Sequence, residues 1–225
     1  MRIPFTRYGL PHVLAYPCAA LALMAALFIF LPGGIILAAA ETLLFLILVW
    51  MLMFFRDPQR TIVPDERVLL SPADGTITDI AEVDSPELGV KALRIGIFLS
   101  IFNVHLNRMP CSVRVESVRY KKGQFKNAMS GESGRVNESN ELMMTRLAEP
   151  RDRLLVRQVS GAIARRIVCE AQPGGEYAQG CAFGMIKFGS RTELYLPLRE
   201  GGYDITIKLG DKVRASLSPL IVYKS

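Results

Sequence analysis

Two apolar runs in the first 55 residues constrain this chain more than any other feature. Residues 13–31 contain no Asp, Glu, Lys or Arg, Pro32, Gly33 and Gly34 break the run, and residues 35–55 are then interrupted only by Glu41. Each run is close to the ~20 residues an α-helix needs to cross the hydrocarbon of a bilayer. A charge at the middle of such a helix costs about 2.5–3.5 kcal/mol, while each Leu, Ile, Val or Phe returns about 0.3–0.6 kcal/mol. Thirteen residues of those four types lie in 35–55, so insertion outweighs Glu41. A cleaved signal peptide would show one short apolar stretch and a cleavage site, without a second, longer run behind it. Arg2 and Arg7 precede the first run, and Arg56 and Arg60 follow the second. The excess of positive charge predicts a helical hairpin with both ends in the cytoplasm. Helices lying in the interface, or a buried hairpin, would use the same residues.

The rest of the chain has a different composition. Of the 27 basic and 21 acidic residues, only Arg2, Arg7 and Glu41 fall in the first 55, which leaves 25 and 20 in residues 56–225, a net charge of +5. That surplus suits an anionic membrane surface or a nucleic acid. Lys and Arg are spread along the chain without interleaved aromatics, which argues against nucleic acid. Cys18, Cys111, Cys169 and Cys181 show no CxxC spacing, so no metal site is expected. A domain of this size needs no disulfide staples, and free thiols fit a reducing cytoplasm.

Beyond Arg56-Asp57-Pro58 the pattern is that of short strands. Leu93, Ile95, Ile97 and Leu99 alternate with Arg94, Gly96 and Phe98, and Tyr203, Ile205, Ile207 and Leu209 alternate with Asp204, Thr206 and Lys208. Alternation of this kind predicts half-buried strands. Residues 156–159, 163–168, 185–188 and 194–196 are further candidates, bounded by Ser160-Gly161, Pro173-Gly174-Gly175 and Pro197. The spacing predicts a mainly β domain, an antiparallel sandwich or barrel, over residues 56–225, preceded by the hairpin of residues 1–55. Residues 123–152, rich in Asn, Ser, Glu and Gly, read as a loop with at most a short helix.

Three segments carry chemistry: Ser71-Pro72-Ala73-Asp74-Gly75; residues 98–110, which include His105; and Phe188-Gly189-Ser190. Singly each is bland, since Asp74-Gly75 reads as a turn, His105 as a core histidine and Gly189-Ser190 as a loop. Together, with His105 the one histidine beyond the hairpin, they resemble the phosphatidylserine decarboxylase family in its short form. The resemblance begins at Phe54-Phe55-Arg56-Asp57-Pro58 and passes through these segments and Tyr120, Gly123, Phe125 and Asn127. It ends with Gly189-Ser190 followed by Leu194-Tyr195-Leu196-Pro197. Longer bacterial relatives have two histidines and an acidic residue in the His105 segment, where this chain has Asn103 and Arg108. Short relatives often carry an Arg after Asn-Glu, where this chain has Ser139 after Asn137-Glu138. If that Arg binds phosphate, Lys126 or Arg135 must substitute.

The resemblance implies a proenzyme that cuts itself between Gly189 and Ser190 into fragments 1–189 and 190–225, which stay together. Ser190 Oγ would attack the Gly189 carbonyl to give an ester, and β-elimination and hydrolysis would leave a pyruvoyl group on the smaller fragment. A hydroxyl needs a base, ideally an imidazole oriented by a carboxylate, and His105 and Asp74 are the candidates. The covalent pyruvoyl cofactor would take substrate amine as a Schiff base and act as electron sink for loss of carbon dioxide, turning phosphatidylserine into phosphatidylethanolamine. The expected partners are an anionic phospholipid and the membrane, with the catalytic domain on the cytoplasmic side, and a homo-oligomer is left open. Two other readings fit the residues: a pyruvoyl decarboxylase of free amino acids, and a membrane-tethered β domain that binds a partner without chemistry.

Overall fold

Pro11 near the start of the first apolar run pre-sets a helical φ where its missing N–H costs nothing. A 3-10 turn, Arg7–Gly9, leads into α1 (Leu10–Phe30), and α2 (Ile35–Phe54) follows the Pro32-Gly33-Gly34 break. Gly34 crosses that break at φ 127°, a conformation closed to residues with a Cβ. The structure, a computed structural model, describes residues 4–126, 133–161, 166–187 and 190–224, with the backbone alone for 133 and 135. Arg2, Asn127, residues 163–165, Phe188, Gly189 and the Arg135 side chain, all used in the sequence reading, lie outside them.

The chain divides into two compact units, Met1–Gln59 and Arg60–Ser225. In the first, the two helices are apolar all round and neither buries its apolar stretch. A helix apolar on every side belongs in a membrane or a large core, and a helix pair has no such core. Length and composition suit a bilayer crossing, which suggests membrane association. The open ends of the hairpin are clamped together: Thr6 N donates to Phe55 O (2.9 Å) and Asp57 N to Pro4 O (2.7 Å).

The second unit is built of antiparallel strands, with one short helix among the described residues. In chain order the elements are β1 (Val68–Leu70), β2 (Gly75–Ser85), β3 (Val90–Leu99), β4 (Leu106–Arg108), β5 (Val113–Lys121), α3 (Ser133–Val136), β6 (Ser139–Arg146) and β7 (Arg153–Ser160). There follow β8 (Arg166–Cys169), β9 (Glu176–Tyr177), β10 (Ala182–Lys187), β11 (Ser190–Pro197), β12 (Tyr203–Ile205), β13 (Lys212–Val213) and β14 (Pro219–Tyr223). A curled eight-stranded sheet runs β13-β2-β3-β11-β7-β6-β5-β9, beside two small sheets, β1-β14-β12 and β4-β10-β8. The fold is thus the antiparallel β domain with an N-terminal helical hairpin that the sequence pattern predicts.

Alternation sorts the two faces of the large sheet. Ile95, Ile97 and Leu99 of β3, Leu194 and Leu196 of β11 and Leu154 and Val156 of β7 form the core with Phe183 and Met109. Each such fully buried side chain contributes about 1.5–3 kcal/mol. The opposite face carries an ion network around Arg191 and Arg157. Arg191 Nε donates to Glu193 (2.8 Å), Arg157 to Glu87 (2.7 Å) and Tyr195 (2.8 Å), and Tyr195 Oη to Glu193 (2.7 Å). Burial and the Glu193 charge push the Tyr195 phenol pKa above its usual value.

Two sequence expectations fail. Residues 139–146 form a central strand, where the sequence reading expects a loop. Their Asn140 and Glu141 are satisfied across the sheet by Gln158 and Arg157, so polarity there reflects pairing and not solvent. The alternation of residues 203–209 yields a strand only through Ile205; beyond it Gly210 N bonds Ile77 O (2.8 Å) and the segment folds into a loop.

Candidate functional site

Ser190 opens β11, the strand flanked by β3 and β7, with Leu99 opposite on one side and Ser160 on the other. It is fully buried, and among the described residues its Oγ has no hydrogen-bond partner. An unsatisfied buried hydroxyl costs about 1–3 kcal/mol, and Ser160 and Ser216 carry the same cost. Gly189 lies outside the described residues, but its place in the chain is informative. β10 ends at Lys187 in a small sheet and β11 begins at Ser190 in the large one, so the chain passes from one sheet to the other between Lys187 and Ser190.

His105 is held against the same crossing. It is fully buried at the head of β4, where Ile186 N donates to its carbonyl (3.3 Å) and Leu106 pairs with Met185. Its Nδ1 lies 3.0 Å from the Asn103 carbonyl oxygen. A carbonyl only accepts, so this contact places the proton on Nδ1 and the lone pair of the neutral ring on Nε2. The sequence Ser100-Ile101-Phe102-Asn103 makes that carbonyl available by turning tightly: Asn103 Oδ1 accepts from Ser100 N and from Ser100 Oγ, both at 2.8 Å. Asn103 is therefore a turn former that orients the imidazole through its backbone. Arg108 is a buried tie, donating to Gly180 O (3.0 Å).

Asp74 lies at the same end of the large sheet, because Thr76 pairs with Phe98 and Phe98 with Arg191. Its carboxylate takes both prongs of the Arg60 guanidinium, at 2.7 and 2.8 Å, and the N–H of Ala215 at 2.8 Å. Arg60 also donates to the Ala215 carbonyl. The hydrogen bonds that orient Asp74 thus come from Arg60 and the turn at Ala215. Asp74-Gly75 is also no hairpin turn. Gly75 begins β2, and a Cβ there would stand 2.2 Å from the Phe98 carbonyl oxygen, so the glycine permits close strand approach.

Below Ser190 on its own face, a buried amide chain joins the two sheets: Asn107 Nδ2 donates to Thr192 Oγ1 (2.9 Å), Gln158 Nε2 to Asn107 Oδ1 (2.8 Å) and Asn140 Nδ2 to Gln158 Oε1 (3.2 Å). Lys187, next to the crossing, has its ammonium pKa lowered by burial and by neighbouring Arg166. Sequence reasoning missed Arg60, the amide chain and Lys187. Arg60 alone carried a signal, its place after Arg56-Asp57-Pro58. Lys126 is exposed, with its backbone N–H bonded to Asn137 Oδ1 (2.9 Å). No group of three or more His, Cys, Asp or Glu that could hold a metal occurs among the described residues.

Fold and site together have the form of a proenzyme domain, with a buried serine at a strand start whose Oγ has no hydrogen-bond partner among the described residues and a buried imidazole beside the adjoining sheet. Residues 47–220 match the family model for phosphatidylserine decarboxylase, and the chain belongs to that family. It is 39% identical over 224 residues to the phosphatidylserine decarboxylase proenzyme of Rhodopirellula baltica, covering 99% of this chain and 89% of that one. It is 42% identical to the proenzyme of Carboxydothermus hydrogenoformans (78% and 81% covered) and 37% identical to that of Pelagibacter ubique (91% and 92%).

Proposed function

We propose that this chain is a membrane-anchored phosphatidylserine decarboxylase that makes its own pyruvoyl cofactor from Ser190. The single observation that carries the reading is the buried Ser190 hydroxyl, which has no hydrogen-bond partner among the described residues and follows Gly189 in the chain. A nucleophile without a competing donor or acceptor is free to act on the carbonyl beside it. His105 Nε2 accepts the hydroxyl proton as Ser190 Oγ forms its bond to the Gly189 carbonyl carbon. The Gly189–Ser190 C–N bond breaks, and the nitrogen leaves as the free amine of an ester-linked Ser190. Loss of the Ser190 α-proton then expels the Gly189 carboxylate, and water replaces the resulting enamine nitrogen, releasing ammonia and leaving the ketone. Asp74 and Arg60 brace the end of β2 beside this crossing.

The pyruvoyl ketone supplies an electron sink for the amine of the substrate. The chain's own part is to bury that position, to exclude water and to return a proton from the His105 imidazole. The hairpin brings this site to a lipid that does not leave the bilayer, since each buried methylene holds it there by about 0.8 kcal/mol. Its flanking arginines put the domain on the cytoplasmic face.

Mass spectrometry of the purified protein tests the reading. Fragments 1–189 and 190–225 are expected, the smaller blocked by pyruvoyl, and Ser190→Ala should remain one uncut, inactive chain. A small fragment with a free amino-terminal Ser, or cleavage in the variant, would overturn it.

A further inference from the structure

His105 is carried by a weak element. β4 has three residues, lies at the edge of its small sheet and pairs with β10 across a register shift between Ala182 and Gly184. So short an edge strand does little to fix its own register, and it belongs to a different sheet from Ser190. A base has to come within about 2.6–3.2 Å of the group whose proton it takes. Ser190 Oγ has no hydrogen-bond partner among the described residues, so the approach of imidazole to hydroxyl depends on what holds β4 against the large sheet.

A single row of polar side chains does so. Inward from Ser190 and Ser160 on the same face come Thr192 and Gln158, with Asn140 beside Gln158 on β6; the next row, Leu194, Val156 and Leu142, is already apolar core. Asn107, two residues after His105, uses both ends of its amide on this row. Its Nδ2 donates to Thr192 Oγ1 on β11 (2.9 Å), and its Oδ1 accepts from Gln158 Nε2 on β7 (2.8 Å). Gln158 Nε2 reaches on to the Val168 carbonyl of β8 (3.3 Å), while its Oε1 accepts from Asn140 Nδ2 (3.2 Å). Gly184, opposite Asn107 on β10, makes the room: a Cβ there would stand 2.2 Å from Val168 O and 3.0 Å from Gln158 Nε2. Asn107, Gln158 and Thr192 are completely buried. Apolar side chains would fill this layer with less desolvation, but their contacts have no direction. A satisfied chain of hydrogen bonds specifies one arrangement.

We propose that Asn107 and Gln158 are positioning residues for self-cleavage, an amide pair that sets the register of β4 on β11 and β7 and with it the approach of His105 to Ser190. His105 precedes Asn107 by two residues, as Ser190 precedes Thr192. The His105 carbonyl accepts from Ile186 N, near the end of β10 that leads to Ser190. Misplacement by about 1 Å at such a site costs roughly 10²-fold in rate. The inference rests on the self-cleavage reading above and deepens it.

The test follows fragment appearance after a pulse of cell-free synthesis of the full chain into detergent. Asn107→Leu with Gln158→Met exchanges the two amides for apolar groups of similar size. Cleavage should slow roughly 10²-fold. The same double variant in the uncut Ser190→Ala background should melt close to or above its parent, because replacing both partners leaves neither of them orphaned. A purely structural pair would lose rate only as it lost stability. Hydroxylamine, which cuts an ester, should not restore the rate, since the step slowed is the attack by Ser190, before any ester exists. Thr192→Ser, which keeps the acceptor for Asn107, should cut faster than Thr192→Val. Cleavage of the double variant at the parent rate would overturn the proposal, and so would rapid cutting by hydroxylamine, which would move the defect to the elimination. Were the double variant to unfold, the Thr192 pair decides alone, and equal rates there would overturn it. A parent chain that stays uncut would strike the functional reading and this inference with it, whereas a parent that cuts beside an unimpaired double variant strikes the inference alone.

Discussion

Arg60 and Asp74 lie side by side with most of their charge removed from water. Undoing one half of such a pair strands the other, at a cost of about 3–5 kcal/mol. In the uncut Ser190→Ala background, urea unfolding should show losses of that size for both Arg60→Ala and Asp74→Asn. The double variant should lose much less than their sum, because the two residues share one interaction. His105 differs, since the role proposed for it is in proton transfer. His105→Ala should fold, with self-cleavage slowed roughly 10²–10⁴-fold in a time course of fragment appearance. The thiols give an independent check of the packing. Burial pushes the Cys111 pKa up to about 12, whereas Cys181 is exposed. In native protein near pH 8 a thiol reagent should therefore modify Cys181 and spare Cys111 until the protein is unfolded. The sign for stability follows: a thiol that holds its proton more tightly when folded favours the fold until its unfolded form ionises. Cys111 should therefore withdraw stability as pH rises from about 9 towards 12.

Among the elements, those with a clean period were legible and those whose partners lie far off in sequence were not. β3 could be read from Leu93, Ile95, Ile97 and Leu99 alone, and the hairpin from its uncharged length. β6 could not, because Ser139, Asn140 and Glu141 look like a loop until Gln158 and Arg157 are set opposite them. The site divided in the same way. Ser190 and His105 stood out through a family pattern, while the Arg60 contact to Asp74 spans 14 residues and Asn107 to Thr192 spans 85, separations that a local reading does not reach. Gly75 was read as a turn although it serves a strand; Gly75→Ala should push β2 off β3 and slow fragment appearance. The hairpin is predicted to act in delivery alone. A chain beginning at Asp57 should still cut itself, yet act much more slowly on phosphatidylserine in vesicles than the full chain, with the gap narrowing on short-chain dispersed lipid.

At the scale of the whole molecule, cleavage at Gly189-Ser190 would not divide the β unit along any seam. The 36 residues of fragment 190–225 carry β11 between β3 and β7, β13 on β2 and β14 on β1. The fragments should copurify and part only in denaturant. The same weave makes the order of events one-directional. An uncut chain closes its central strand as a single polymer, whereas two severed chains must find each other and insert an inner strand between β3 and β7, which pair only through it. Mature enzyme that has been melted should therefore fail to recover on cooling, while the uncut Ser190→Ala chain, melted in the same detergent, should regain its native spectrum. On the proposed cleavage, the peptide bond given up for the cofactor is also the chain's set of assembly instructions, so each molecule would fold once, and its working life would be a matter of how slowly it unfolds and not of how stable it is at equilibrium.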